Sequence, residues 1–161
     1  MSQRDLLLSV FKRGAGMLPR HLADFSDEDM LARPVPGANH VAWQLAHVAH
    51  FTGKLLTSLG LHVPQLSKVV ADGGRDVAHI DDPEHFPTKA EFLEFFDAAY
   101  RAIIDLIEMM SDEQLSAPMP GGNPAAPQSL AFHLLMQPMH MTMHIGQIQV
   151  IRRALKKPVL F

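Results

Sequence analysis

Gln137-Pro138-Met139-His140-Met141-Thr142-Met143-His144-Ile145-Gly146-Gln147-Ile148-Gln149-Val150-Ile151-Arg152-Arg153-Ala154-Leu155 decides how the chain is read. Each residue of an α-helix turns by about 100°, so His140 and His144 lie one turn apart on one face, where two imidazoles can grip the same metal ion. Two ligands do not complete a site. A third has to come from another element, and the other histidine-rich stretch, Asn39-His40-Val41-Ala42-Trp43-Gln44-Leu45-Ala46-His47-Val48-Ala49-His50, is the source to expect. The two stretches together predict a helical bundle with a three-histidine metal centre in its core.

The rest of the chain bounds that reading. A length of 161 residues with 47% hydrophobic content suits one domain, 1–161, with a single buried core. There is no cysteine, which excludes disulfides, thiolate metal sites and a cysteine nucleophile, so any transition metal must be held by N and O ligands. The start, Met1-Ser2-Gln3-Arg4-Asp5, has no basic segment leading into an apolar run, and no stretch of roughly 18 uncharged apolar residues occurs. A soluble, cytoplasmic protein with no membrane partner is expected. With 14 Lys and Arg against 17 Asp and Glu the chain is mildly acidic. Its largest basic group, Arg152, Arg153, Lys156 and Lys157, suits a helix C-terminus better than a nucleic acid.

Four helices are predicted. The first runs from about Gln3 to Asp24 on Leu6, Leu7, Val10, Phe11, Leu18 and Leu22, with a bend or break near Met17 imposed by Gly14, Gly16 and Pro19. After a turn at 26–31 and the connector Pro34-Val35-Pro36-Gly37, Asn39 is the expected N-cap of a second helix that stops at Gly60. From Leu61 to Pro87 no period is sustained, and Pro64, Gly73, Gly74, Pro83 and Pro87 mark a long connection able to cross a bundle. Thr88-Lys89-Ala90-Glu91 is a capping box that opens a third helix carrying Phe92, Phe95, Phe96, Ala99, Ile103, Leu106 and Met110. The fourth begins near Gln128 or Ser129 and reaches about Leu155, with Pro138 removing one ladder bond inside it.

The connectors repeat. Leu31-Ala32-Arg33-Pro34-Val35-Pro36-Gly37-Ala38-Asn39 matches Leu115-Ser116-Ala117-Pro118-Met119-Pro120-Gly121-Gly122-Asn123 at five of nine positions, each shortly after Ser-Asp-Glu. The chain thus reads as two helical hairpins joined by the long crossover. With two residues inserted, Gln44-Leu45-Ala46-His47 falls opposite Leu130-Ala131-Phe132-His133.

On the last helix His133, Gln137, His140, His144 and Gln147 share a narrow arc, because steps of 4, 3, 4 and 3 residues nearly close on whole turns. A buried polar stripe on a helix rich in Leu, Met and Ile needs partners; a metal with its supporting hydrogen bonds would satisfy it, as would a set of hydrogen-bonded core histidines. On the second helix His47 shares its arc with His40, Trp43 and Lys54, whereas His50 sits about 60° away, so His47 is the chosen third ligand and His50 reads as a surface histidine. Trp43, the single tryptophan, reads as core.

Trp43-x3-His47 opening helix two, His140-x3-His144-x-Gly146-Gln147 on the last helix and the long second crossover resemble the DinB superfamily over essentially the whole chain. The resemblance implies an all-α, four-helix bundle of up-down-down-up order with the long crossover between helices 2 and 3, and frequent homodimers. It also implies a divalent metal, zinc or nickel first and iron or manganese next, held by one histidine of helix two and a His-x3-His pair of helix four. By motif these fall on His47, His140 and His144. Pro138, two residues before His140, departs from the family's pattern, and His50 and His133 stand as spare ligands.

A three-histidine site keeps positions open for water or substrate, and a metal there lowers the pKa of a bound water or thiol. A metal-dependent enzyme on a small molecule follows as the first functional reading, either a hydrolase or, as the resemblance implies, a transferase using a low-molecular-weight thiol. A non-catalytic metal-binding or stress-associated bundle is the alternative, and an interaction module with structural histidines is the third. No carboxylate stands at an obvious general-base spacing, and Asp97 and Asp105 are the nearest candidates.

Overall fold

The structure is a computed structural model that describes residues 1–68 and 77–160. Among these residues all regular structure is helical apart from an isolated bridge between Pro118 and Ser129. The helices are α1 (Gln3–Ala15), α2 (Met17–Leu22), α3 (Val41–Ser58), α4 (Lys89–Met109), α5 (Asp112–Ser116) and α6 (Leu130–Ala154). Among the described residues no helix is long and apolar enough to cross a membrane.

The interruption expected in the first helix is a break at Gly16, which separates α1 from α2. Gly14 has a different reason to be glycine: a Cβ there would lie 3.1 Å from Cε1 of Tyr100, so α1 approaches α4 closely at this point. The capping box at Thr88 is present as predicted, with the Thr88 hydroxyl accepting from the Glu91 amide and the Glu91 carboxylate accepting from the Thr88 amide. Hydrogen bonds from Ser67 and Thr88 hold that carboxyl down to about 2. The connector repeat is structural in its first turn. Ser26 and Asp29 exchange side-chain to backbone bonds, and Ser111 and Gln114 do the same.

The N-cap of α3 differs from expectation. Asn39 is not the cap; His40, fully buried, accepts the Trp43 amide on Nδ1 at 3.0 Å and donates from Nε2 to the carbonyl of Ile80 at 2.9 Å. Cap preference points to asparagine in isolation, but the histidine ring can do both jobs at once, capping the helix and fastening the end of the crossover. Arg33 adds to this clamp, reaching Asp81 and the carbonyls of Ala38 and Ala78. Of the punctuating residues of the crossover, Gly73 and Gly74 lie outside the described residues; after them Pro83–His85 forms a 3-10 turn capped by Asp82.

Four long helices surround the core. α1 and α3 each pack against both α4 and α6. Arg4 lies beside Asp112 and Gly14 beside Tyr100, so α1 and α4 run in opposite senses. Gln44 meets His144 and Thr52 meets Gln137, so α3 and α6 do too. Gly14 lies near Pro138 and Asp24 near Arg152, which makes α1 and α6 co-directional. The core between them is built from Leu7, Phe11, Leu45, Phe92, Ile103 and Ile148, each at most 3% exposed. At roughly 25 cal/mol per Å² of apolar area, such side chains contribute about 1.5–3 kcal/mol each.

The basic cluster at the end of α6 is more than a complement to the helix dipole. Arg152 is 1% exposed and grips both carboxylate oxygens of Asp24 as well as the carbonyls of His21 and Pro158. Lys157 pairs with Asp29 at 2.9 Å and, like Arg152, lies over the ring of Phe25. The Arg152 guanidinium holds the Asp24 carboxyl below the usual carboxylate range.

Candidate metal centre

Three histidines meet between α3 and α6. One ring nitrogen from each of His47, His140 and His144 can be chosen so that all three lie within 4.8 Å of one another. The ring centroids are 5.1 Å apart for His47 and His140, 5.3 Å for His47 and His144, and 4.8 Å for His140 and His144. The expected convergence is therefore present, and Pro138 does not prevent it. α6 runs unbroken through the proline, and the Thr142 hydroxyl donates to the Pro138 carbonyl at 2.7 Å.

Aromatic side chains fix the more open side. Trp43, half-buried against the core, stacks on His47 with 5.1 Å between centroids and 14° between planes. Phe51, 42% exposed, presents its ring to His47 at 5.0 Å and to His140 at 5.7 Å. His144 is the deepest of the three at 4% exposed.

A hydrogen-bond chain sets the protonation pattern of His144. The Gln44 amide nitrogen donates to the Asn39 carbonyl at 3.0 Å, which turns the Gln44 carbonyl oxygen toward His144 Nδ1 at 3.2 Å. An amide oxygen can only accept, so Nδ1 carries the hydrogen and Nε2 keeps a lone pair. That lone pair faces Nε2 of His140 at 3.1 Å. Without a cation between them, one of these two nitrogens must carry a proton. Burial, then the neighbouring rings of His140 and His47, push His144 down to about 4; burial and His47 likewise lower His140. Both are neutral at pH 7, the form that binds metal.

These residues fit a divalent transition ion. Nitrogen donors bind zinc at roughly 2.1 Å, so two of them sharing an ion lie no more than about 4.2 Å apart. The His140–His144 pair at 3.1 Å already satisfies this, and small ring rotations bring in a third donor from a group spanning 4.8 Å. No carboxylate joins the cluster among the described residues.

The remaining candidates fall elsewhere. His50 turns away and lines a separate cavity. His133 has its ring against Phe132 and does not join the group. Gln137, from the polar stripe, accepts from the Thr52 hydroxyl at 3.1 Å, and Gln147 is exposed. Asp97 pairs with Arg101 at 2.8 Å on the surface of α4, and Asp105 is exposed. Sequence reasoning missed Gln44 and Phe51. A glutamine within the apolar run that opens α3 was the available signal, since a buried amide needs partners.

The family profile of the DinB superfamily matches residues 11–148. Two crystal structures resemble this one in fold: a conserved protein from Enterococcus faecalis, with a TM-score of 0.66, 15% identity, and 98% of this chain and 99% of that one covered; and a DinB-like protein from Bacillus cereus ATCC 10987, with a TM-score of 0.68, 16% identity, and 96% and 95% covered. No curated protein matches the sequence. The profile takes in α3, the crossover and α6 as far as Ile148, and with them all three histidines, and the chain belongs to the DinB superfamily.

Proposed function

We propose that the protein binds one divalent transition metal through His47, His140 and His144 and uses it on a small molecule, as a thiol-dependent transferase or a hydrolase. The observation that carries this reading is the lone pair of His144 Nε2, fixed by Gln44 and aimed at His140 inside a cluster 4.8 Å across. A buried glutamine that sets the tautomer of a histidine is the supporting hydrogen bond that metal-binding imidazoles use. Membership of a superfamily whose members generally bind metal supports it too. Zinc or nickel suits three nitrogen donors best, with iron and manganese next.

When bound, the ion would lower the pKa of a coordinated water or thiol, and three neutral ligands leave its positive charge uncompensated. Around it the residues have separable tasks. His144 is held by Gln44, His47 is braced by Trp43, and Phe51 restricts access from solvent. The second reading, a non-catalytic metal-binding or stress-associated bundle, draws on the cluster itself, which among the described residues holds three imidazoles and no carboxylate to act as general base.

The helix pairings support an up-down-down-up four-helix bundle over one domain, 1–161, with the crossover between its second and third long helices. A homodimer fits the exposed apolar row Phe132, Met136, Met139, Met143 and Val150 along α6.

Metal analysis of untagged protein tests the core of the proposal. One first-row ion per chain is expected, and the His140→Ala, His144→Ala double variant should lose it while remaining helical. Full occupancy in that variant refutes the assignment. Turnover of thiol and ester substrates by loaded but not stripped protein then separates enzyme from storage protein.

A further inference from the structure

A second site lies a quarter-turn around α3 from the histidines. It is a cavity of about 430 Å³ between α3, the first part of the crossover and Phe95 of α4, and none of His47, His140 and His144 lines it. Its volume is in the range of small-molecule sites, about 300–1,000 Å³. Ala46, Ala49 and Leu56 of α3 with Phe95 give it a buried apolar wall, and Leu61, Val63 and Leu66 supply the facing side.

The polar groups lining this cavity are unbalanced in sign. Among the described residues Lys54 and Lys68 both line it, with His50 one turn before Lys54, and no aspartate or glutamate does. Lys54 makes no ion pair or hydrogen bond among the described residues, and Lys68 reaches only the Pro83 carbonyl, at a long 3.4 Å. The nearby Glu91 is engaged by Ser67 and Thr88. Two ammonium groups at an apolar cavity, with no counter-ion among the described residues, favour a molecule with one anionic end and one apolar body. We propose that this cavity binds a small amphipathic carboxylate, its hydrocarbon portion against Ala46, Ala49, Leu56 and Phe95 and its carboxylate on Lys54 and Lys68. The site stands apart from the histidine cluster and does not require a metal.

Calorimetric titration of the full chain with decanoate, against decanol of the same length, tests this in the presence of a chelator. Decanoate should bind one per chain and about tenfold or more tighter than decanol, as a charge-assisted contact worth about 1.4 kcal/mol or more requires. Lys54→Met with Lys68→Met should remove that preference and leave decanol unchanged. Gly53 lines the cavity and a Cβ there meets nothing within 4 Å, so Gly53→Phe should fill the space without disturbing the fold and abolish binding of both probes. Cooperative thermal unfolding of that variant checks that it is folded. The His140→Ala, His144→Ala variant should bind decanoate as the parent does, which separates this site from the metal proposal. Equal affinity for acid and alcohol, no binding of decanoate at millimolar concentration, or binding unaffected by Gly53→Phe each overturns the assignment.

Discussion

Replacing Gln44 with methionine should damage stability and metal affinity by separable amounts. The side chain is 1% exposed and makes two hydrogen bonds, one to the Asn39 carbonyl and one to His144 Nδ1. Methionine keeps the volume but can accept only weakly, so the N–H of a histidine that is 4% exposed loses its partner. An unsatisfied buried donor costs about 1–3 kcal/mol. At about 2–4 °C per kcal/mol for a chain of this size, stripped Gln44→Met protein should melt about 2–12 °C below the stripped parent. Some molecules should also escape the penalty by moving the proton to His144 Nε2, the nitrogen proposed to hold the metal. That tautomer cannot coordinate through Nε2, so zinc affinity should fall about 10–100-fold, the usual cost of losing a histidine's supporting hydrogen bond. Competition titration with a chromophoric chelator measures the second effect, and differential scanning calorimetry of stripped protein the first. Unchanged zinc affinity alongside a clear drop in melting temperature would show that Gln44 merely packs and that the fixed tautomer has no part in binding.

Other outcomes follow from the same geometry. His144 sits at about 4 in the fold against an ordinary 6.5, so the unfolded chain takes up this proton first and stability is lost as pH falls from 6.5 toward 4, then levels off. The gap sets a ceiling of roughly 3 kcal/mol; urea unfolding of stripped protein should show the parent's advantage over His144→Gln shrinking between pH 7.5 and 4.5, and a constant advantage would contradict it. Asp24→Asn should cost more, about 3–5 kcal/mol, than Arg152→Met, because, among the described residues, the first takes the only paired carboxylate from a guanidinium that is 1% exposed and leaves it carbonyls alone, whereas the second leaves a carboxylate that is 42% exposed. Thermal denaturation of both variants decides it, and the reverse order would refute the argument. Sedimentation at tens of micromolar should reveal a dimer that Met139→Lys with Met143→Lys dissociates, and a monomeric parent would rule out the α6 face as an interface.

Helix positions were legible because each rests on local signals. Thr88 and Glu91 make their box, Gly60 turns the chain at φ 67° after α3, and Pro158 follows the last helix. The trio His47, His140 and His144 was legible because helical phase and the separation of two motifs are both sequence properties. What could not be read is who answers each polar group across space. Asn39 is the better cap by preference, yet His40 caps, because its second nitrogen meets Ile80, forty residues away. Arg152 looked like a charge for the helix end and is instead a buried fastener, since nothing local announces that Asp24, 128 residues earlier, faces it.

The connector repeat explains why His133 resembles a ligand and yet stands outside the histidine cluster. α3 and α6 are antiparallel, with Gln44 opposite His144 and Thr52 opposite Gln137, so each step toward the start of α6 is a step toward the end of α3. Extending that register places His133 level with residues 55–56, eight or nine residues past His47, which at 1.5 Å per residue is roughly 12 Å along the axis. Equivalent positions in the two halves are thus carried to different heights, and a histidine at each cannot make a shared centre. His140 and His144 instead occupy the part of α6 that lies opposite Gln44 and His47. The halves also differ in support: Leu130 stands where the first half has Gln44, so the second half has no amide in that place to fix the tautomer of His133. If the repeat records a duplication, the cluster arose when the second half acquired histidines at the height of the first, and the position that should resist change is Gln44 as much as any of the three histidines.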